Sequence, residues 1–128
     1  MKRILTIVLA ALMLAGCGNV PLTGRRQILL VSDQEVYQAG LVQYKEYLST
    51  ATLSSNAEKT RLVKKVGQDL ASATEKYLKA NGYASEINNL SWEFSLVTDP
   101  PVNAFCMPGG QIVVYEGLLT VAQNADEL

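Results

Sequence analysis

Histidine is absent from this sequence of 128 residues. Its absence excludes Ser-His and Cys-His catalytic pairs, because the base that activates the nucleophile in those sites is an imidazole ring. It also removes a frequent zinc ligand, since a zinc enzyme needs about three protein ligands from His, Cys, Asp or Glu. The carboxylates are scattered and lack the spacing of a calcium-binding loop. A catalytic site made of two carboxylates, one acting as acid and one as base, is not excluded, although no such pair stands out.

The sequence also lacks an excess of positive charge and contains few cysteines. Lysine and arginine number 11 against 12 aspartates and glutamates, and the net charge is −1. The sequence therefore has no cluster of positive charge that would bind nucleic acid, and we expect no nucleic-acid partner. Lys64 and Lys65 lie in a stretch of mixed charge and are interpreted as part of a solvated helix face. The two cysteines are Cys17 and Cys106, and Cys106 is predicted to be a packed thiol.

One long apolar run is present, from Ile4 to Leu14. It is shorter than the roughly 20 apolar residues that span a bilayer. Lys2 and Arg3 precede it, and small residues follow it, which is typical of a secretory signal peptide. We therefore predict a signal peptide over residues 1–16, with a buried N-terminal helix as the alternative.

The segment Leu14-Ala15-Gly16-Cys17 resembles a bacterial lipobox. This resemblance implies that the chain is cut before Cys17 and that Cys17 is lipidated. Stable anchoring to a membrane needs more than one acyl chain. The resemblance to bacterial lipoproteins implies such multiple acylation. Gly18 follows the cysteine, and resemblance to Gram-negative sorting rules then implies the outer membrane. The expected location is the bacterial cell envelope, lipid-anchored and facing the periplasm.

The remaining chain divides into a tether and one domain. Residues 17–31 are predicted to form a lipidated tether that ends in a short strand from Gln27 to Val31. Residues 32–128 are long enough for one small domain.

Two helices are predicted at the start of this domain. Ser32 and Glu35 have the spacing of a capping box, which predicts a first helix to about Leu48. A second helix is predicted from about Ala57 to Ala80, stopped by Asn81-Gly82. Its apolar residues step by three and four and predict a buried stripe, namely Leu62, Val66, Leu70, Ala73 and Tyr77.

Beyond Leu90 the apolar period changes from that of a helix to that of a strand. Three extended runs follow, over residues 92–97, 102–107 and 111–115, and Pro108-Gly109-Gly110 provides the turn between the last two. Helices followed by a run of strands indicate the α+β class. We predict two N-terminal helices followed by a small three-stranded antiparallel sheet with an edge strand.

The segment from Asn103 to Leu119, NAFCMPGGQIVVYEGLL, resembles the strand-turn-strand segment of the M48 family of zinc metallopeptidases. The similar members are the bacterial periplasmic lipoproteins related to the mitochondrial Oma1 protease. Two further stretches agree in order, PLTGRRQ from Pro21 to Gln27 and Trp92-Glu93-Phe94. The resemblance covers nearly all of the chain after residue 16.

Zinc and a zincin-like domain are implied by this resemblance. In the family, an HExxH helix binds zinc through its histidines, and its glutamate activates the bound water. Asp126-Glu127-Leu128 matches the approach to that helix, and Asn124 with Glu127 has the spacing of a helix N-cap. The motif itself is not in this sequence. The resemblance therefore implies the N-terminal portion of a metallopeptidase domain, truncated before its zinc ligands, with no catalytic or metal-binding residue of its own and inactive alone.

The resemblance also implies where a substrate binds. The strand that carries Asn-Ala lies at the sheet edge in such peptidases, and the substrate backbone adds to it as a further strand. Carried over to this sequence, the substrate-binding residues are Asn103, Ala104 and Phe105. Ordinary strand packing is the alternative, above all for Phe105.

The sequence leaves three alternative functions. The first is a membrane-anchored zinc metalloendopeptidase that cleaves polypeptides of the cell envelope in protein quality control, of which this chain is the N-terminal part. The second is a non-catalytic lipoprotein that binds peptides along its edge strand. The third is a structural lipoprotein unrelated to proteases, which composition and class alone leave open.

Overall fold

The computed structural model describes residues 17–19, 26–28 and 31–128, and the chain falls into two compact units divided between Asp33 and Gln34. The first unit contains the antiparallel strands β1 (Cys17–Asn19) and β2 (Arg26–Ile28). Of the strand predicted from Gln27 to Val31, Gln27 and Ile28 lie in β2, Val31 is in a bend, and Leu29 and Leu30 lie outside the described residues. The predicted signal peptide also lies outside them. No helix in the described part is long and apolar enough to cross a membrane.

Two helices open the second unit, as predicted: α1 (Asp33–Thr50) and α2 (Ala57–Ala80). The α2 helix begins where the Asn56 side chain accepts a hydrogen bond from the Lys59 N–H at 2.9 Å, which satisfies one of the free donors of the first turn. It ends at Asn81, whose N–H donates to the Tyr77 carbonyl at 3.1 Å. The Asn81 side-chain amide donates to the same carbonyl at 2.8 Å, so local hydrogen bonds of two asparagines set both bounds.

The sheet contains β3 (Glu93–Val97), β4 (Ala104–Met107) and β5 (Gln111–Tyr115) in the spatial order β3-β5-β4. β4 and β5 form the expected antiparallel hairpin, but β3 runs parallel to β5. The prediction of a fully antiparallel sheet was therefore wrong, whereas the α+β class is confirmed. β3 alternates apolar and polar residues and β4 and β5 are apolar runs, but neither pattern shows which strands are neighbours. Short 3-10 helices span Ala84–Asn89 and Glu116–Thr120.

The hairpin turn uses its glycines as the sequence predicts. The Gly110 N–H donates to the Met107 carbonyl at 3.2 Å, which closes a four-residue turn. Pro108 takes the second position and Gly109, with φ +98°, the third, which is the pattern of a type II turn. Gly110 also has a positive φ of +93°, a conformation that glycine adopts without steric cost.

The two faces of the sheet are covered by different helices. The α1 face is the side of the sheet that packs against α1, and the α2 face is the side that packs against α2. Side chains alternate between these faces along each strand. The α1-face core consists of Tyr44, Val97 and Val113, with Tyr47, Leu48, Ala51, Phe105, Met107 and Tyr115 around it. The α2-face core consists of Val63, Leu96, Val114 and Leu119, with Phe94, Ile112, Leu118 and Leu128 around it.

The buried stripe of α2 differs from the predicted one. Leu70 is 57% exposed and Tyr77 is 45% exposed. The residues that are buried are Val63, Val66, Gly67, Ala71 and Leu78. The Phe94 ring lies directly against Gly67, where a side chain would leave no room for it. Counting large apolar residues missed this contact because its centre is a glycine.

Candidate functional site

The outer edge of β4 presents unpaired main-chain groups. The Asn103 carbonyl accepts from the Tyr115 N–H at 3.1 Å, which makes this an inward-facing position of the ladder. Main-chain groups alternate in direction along an antiparallel strand, so Phe105 and Met107 also face β5. Ala104 and Cys106 consequently direct their N–H and C=O groups away from the sheet. In the described part of the chain, no strand pairs with that side of β4.

The other edge of the sheet is partly covered. Thr52–Ser54 lies along the last residues of β3, with Leu53 opposite Val97. The Ser54 N–H donates to the Leu96 carbonyl at 2.9 Å, and the Thr98 N–H donates to the Thr52 carbonyl at 3.0 Å. Within the three-stranded sheet, as far as the described residues show, β4 is therefore the edge strand that stays open along its whole length.

The three residues predicted to bind substrate lie together at this edge. Asn103 directly precedes β4 and is exposed, as is Ala104, whereas Phe105 is half-buried. The Phe105 ring makes edge-to-face contacts with Tyr47, at a centroid distance of 5.1 Å, and with Tyr115, at 6.2 Å. The packing alternative thus accounts for part of the Phe105 side chain but not for the exposed pair before it.

Sequence reasoning missed Cys106 as a member of this edge. It predicted a packed thiol, but Cys106 is exposed. The period of two, counted from Ala104, places its side chain on the α2 face and its main-chain groups at the open edge. The alternation of residues along β4 can be counted in the sequence. The sequence does not show that no neighbouring element covers this position.

A hydrogen bond joins α1 to the loop before β4. The Tyr47 hydroxyl donates to the Asp99 carboxylate at 3.3 Å. Burial, followed by Tyr115 and the negative charge of Asp99, raises the pKa of Tyr47 well above its ordinary value, so this hydroxyl remains a donor at any physiological pH. The aromatic contacts and this hydrogen bond together hold β4 against α1.

An apolar trough lies on the α2 face beside Ala104. Its volume is about 120 Å³. It is lined by Val63, Val66, Gly67, Leu70, Phe94, Ala104, Ile112, Val114, Leu118 and Leu128. Leu128 reaches the trough from a turn that starts at Asn124.

This last turn has the capping chemistry that the sequence predicts. The Asn124 side chain accepts from the N–H groups of Asp126, at 3.0 Å, and Glu127, at 3.1 Å. The Leu128 N–H donates to the Asn124 carbonyl at 3.2 Å, the bond of an α-helical turn. The Glu127 carboxylate accepts from the Gln123 N–H at 2.8 Å, one residue earlier than a standard capping box.

The residues present do not fit a zinc ion. The described part of the chain contains no group of three or more His, Cys, Asp or Glu side chains that could hold a metal. The sequence as a whole supplies no histidine. Cys17, predicted to be lipidated, lies on β1 opposite Ile28, and its lipidation stays a prediction.

The reactivity of Cys106 should depend on pH in a defined way. Partial burial of the thiol raises its pKa above the ordinary value, although a hydrogen bond with the Gly110 backbone opposes the shift. Because the thiolate is the reactive form, alkylation of the Cys17→Ser variant should rise about tenfold per pH unit up to pH 8. The pH midpoint of the native protein should lie above that of the urea-unfolded chain. Equal midpoints would contradict the predicted desolvation.

Comparison with known proteins identifies the family. The family model described as Peptidase family M48 matches residues 58–128, more than half of the chain. The matched region contains all but the first residue of α2, the whole three-stranded sheet and the turn at Asn124. The chain belongs to this family of peptidases, as its sequence resemblance implied.

The similar curated proteins are mitochondrial metalloendopeptidases named OMA1. The chain is 28% identical to the protein of Danio rerio over 111 residues, covering 84% of this chain and 22% of that protein. It is 25% identical to the Homo sapiens protein over 108 residues, covering 84% and 20%. It is 44% identical to the Arabidopsis thaliana protein over 52 residues, covering 41% and 11%. The chain thus spans about a fifth or less of the length of these relatives.

The predicted location is contradicted by these relatives. Their names place them in mitochondria of a fish, a mammal and a plant. The prediction of a lipid-anchored protein of the bacterial outer membrane, facing the periplasm, was therefore wrong. It depended mainly on the first residues of the chain, up to Gly18. Those residues lie outside the 58–128 family match.

Proposed function

We propose that this chain provides the substrate-binding strand of a zinc metalloendopeptidase. An extended stretch of polypeptide pairs with the open edge of β4 and thereby adds a fourth strand to the sheet. The observation that carries this proposal is the outward direction of the main-chain groups of Ala104 and Cys106, inside the region that matches family M48.

Main-chain pairing suits a polypeptide substrate. Ala104 and Cys106 each present one N–H donor and one C=O acceptor, and each hydrogen bond made contributes about 0.5–1.5 kcal/mol net. Such bonds use the backbone of the substrate and are independent of its side chains. The edge can therefore hold many different unfolded or extended segments, which is what an endopeptidase requires.

The metal must be bound elsewhere in this proposal. Membership of family M48 implies zinc in full-length members, and the described residues offer it no cluster of ligands. We propose that the zinc ligands are supplied by residues other than these 128, and that the chain alone does not hydrolyse peptides. Reading the DNA after codon 128 in all three frames tests this, because a stretch that encodes HExxH is expected there, and its absence from every frame contradicts the proposal.

Disulfide trapping should show the edge pairing directly. A six-residue peptide with one cysteine, activated as a mixed disulfide with thionitrobenzoate, should cross-link to Cys106 in the Cys17→Ser variant. The Cys106 thiolate attacks the peptide sulfur, a new disulfide forms, and coloured thionitrobenzoate leaves as the thiolate. Pairing with β4 holds the two sulfurs together, so the rate should exceed that of a matched peptide with N-methylated backbone amides by about tenfold, or about 1.4 kcal/mol.

The control moves the thiol away from the edge. Tyr77 lies on α2 and is 45% exposed. In the triple variant Cys17→Ser, Cys106→Ser, Tyr77→Cys, the two peptides should therefore react at equal rates. If the N-methylated peptide reacts with Cys106 as fast as the unmodified one, β4 does not pair with peptides.

A non-catalytic peptide-binding module is the second candidate, because no residue of this sequence is a histidine. Both candidates predict trapping at Cys106, and they differ in what the complete gene product does. A product that binds zinc and cleaves a trapped peptide is the peptidase. A product that binds the peptide and leaves it intact in the presence of zinc is the binding module.

A further inference from the structure

We infer that the α1 face beside β4 forms a side-chain subsite, which favours an aromatic or large aliphatic peptide residue opposite Phe105. The walls of this subsite are Phe105, Tyr47 and Met107. This inference depends on the proposed pairing of peptides with β4 and adds a sequence preference to it.

The position of the subsite follows from the direction of the main-chain groups. Ala104 and Cys106 point their N–H and C=O groups toward an added strand, and Phe105 lies between them. In either strand direction, one peptide residue lies opposite Phe105. Its side chain projects onto the same face as Phe105, and in an antiparallel pairing the two Cβ atoms lie about 4.5–5.5 Å apart.

The surface at this position is aromatic and incompletely covered. Phe105 and Tyr47 are both half-buried, and their rings meet at 89° with centroids 5.1 Å apart. Met107 is also half-buried and lies two residues along the same face. A phenylalanine, tyrosine or leucine placed opposite Phe105 would remove apolar surface of all three from water, whereas alanine or glycine would leave it exposed.

The charge at this wall opposes acidic residues. The Asp99 carboxylate accepts a hydrogen bond from the Tyr47 hydroxyl at 3.3 Å and is exposed. A glutamate or aspartate opposite Phe105 would approach this negative charge, whereas an apolar side chain would not be affected by it.

The neighbouring peptide positions project onto the other face of the sheet. Residues opposite Ala104 and Cys106 lie on the α2 face, where both edge side chains are small and exposed. A residue opposite Ala104 would lie beside the apolar trough on that face. The aromatic walls formed by Phe105 and Tyr47 contact only the residue opposite Phe105, so a test of this subsite varies that position alone.

Fluorescence polarisation with two peptides tests this inference. The two six-residue peptides are identical except at the position opposite Phe105, where one has phenylalanine and the other has alanine. Disulfide trapping at Cys106 identifies that position, because it shows which peptide residue lies opposite Cys106. The full chain should bind the phenylalanine peptide about tenfold more tightly than the alanine peptide, a ratio equivalent to about 1.4 kcal/mol. In Phe105→Ala this ratio should fall to about twofold or less, and in Tyr47→Leu, which keeps an apolar side chain, it should fall to a value between that of Phe105→Ala and that of the parent.

Two controls separate a subsite from a general loss of structure. Tyr77→Ala, on α2, should keep the tenfold ratio because it changes an exposed aromatic residue far along the chain from the edge. Phe105→Leu keeps an apolar side chain in the α1-face core, so it should remain folded and give a ratio between those of the parent and Phe105→Ala. Because the ratio compares two ligands on one protein, a change in folded fraction alone does not move it.

The outcomes distinguish the subsite from the edge itself. Equal binding of the two peptides, with binding still lost on N-methylation of the peptide backbone, overturns the subsite alone. A full ratio that persists in both Phe105→Leu and Tyr47→Leu overturns it as well. Binding that N-methylation does not weaken, or no binding of either peptide, overturns the pairing at β4 and the subsite with it.

Discussion

Gly67→Ala should lower the free energy of unfolding by about 2–3 kcal/mol, because it inserts a methyl group where α2 meets the sheet. A Cβ atom at this position would lie within 2.6 Å of the Cε1 atom of Phe94. Phe94 lies on the α2 face, against the core formed around Leu96 and Val114, so the ring has little freedom to move away. Urea denaturation followed by circular dichroism measures the change.

The sign of this effect is diagnostic. At a solvent-exposed position inside a helix, replacing glycine with alanine stabilises by about 1 kcal/mol. Ser72→Ala, on the exposed side of α2, is the matched control and should leave stability unchanged or slightly raised. Adding Phe94→Leu to Gly67→Ala should cost less than the sum of the two single changes, since the smaller side chain relieves the clash. A stability gain in Gly67→Ala would show that α2 does not pack on Phe94 at this point.

Cys106→Pro should leave the domain folded and weaken peptide binding about tenfold or more. Proline has no N–H, and the N–H of Cys106 points away from the sheet, so the pairing between β4 and β5 loses no hydrogen bond. Proline is tolerated on an edge strand at such a position. The edge loses one of its two outward donors, and the ring also obstructs the approach of the added strand. Fluorescence polarisation with the phenylalanine peptide measures the loss.

Phe105→Pro provides the matched control one residue away. The Phe105 N–H faces β5 opposite Val113, so proline there removes a ladder hydrogen bond and an aromatic side chain of the core. Its thermal melt should shift by several degrees or lose cooperativity, whereas the melt of Cys106→Pro should stay close to that of the parent. If both variants are equally destabilised, the assigned direction of the β4 main chain is incorrect. If Cys106→Pro binds peptides normally, the edge is not the binding site.

Elements whose signals are local were predicted well. The bounds of α2 depend on Asn56 and Asn81, whose hydrogen bonds span three and four residues. The turn of Asn124 with Glu127 likewise uses groups within four residues. The hairpin between β4 and β5 depends on Pro108-Gly109-Gly110. In each case, the partners are neighbours along the chain, so the sequence shows both of them.

The candidate site was predicted in part. The motif at Asn103, Ala104 and Phe105 located the edge strand because its residues are consecutive. The role of Cys106 and the contact of Tyr47 with Phe105 were not predicted, since the first depends on an uncovered edge and the second on a helix 58 residues away in the chain. The location in a bacterial envelope was wrong, because a short N-terminal pattern says little about the compartment of the domain that follows.

The helices, the hairpin, the α+β class and the family could all be inferred from residue order, because each depends on short spans of the chain. The three-dimensional arrangement was needed to show that β5 lies between β3 and β4, that Gly67 rather than Leu70 contacts the sheet, and that β4 keeps an open edge. Each of these depends on which surfaces meet across long chain separations. Burial and main-chain pairing are then set by the neighbour in space, and an amino-acid pattern along one strand or helix does not specify that neighbour.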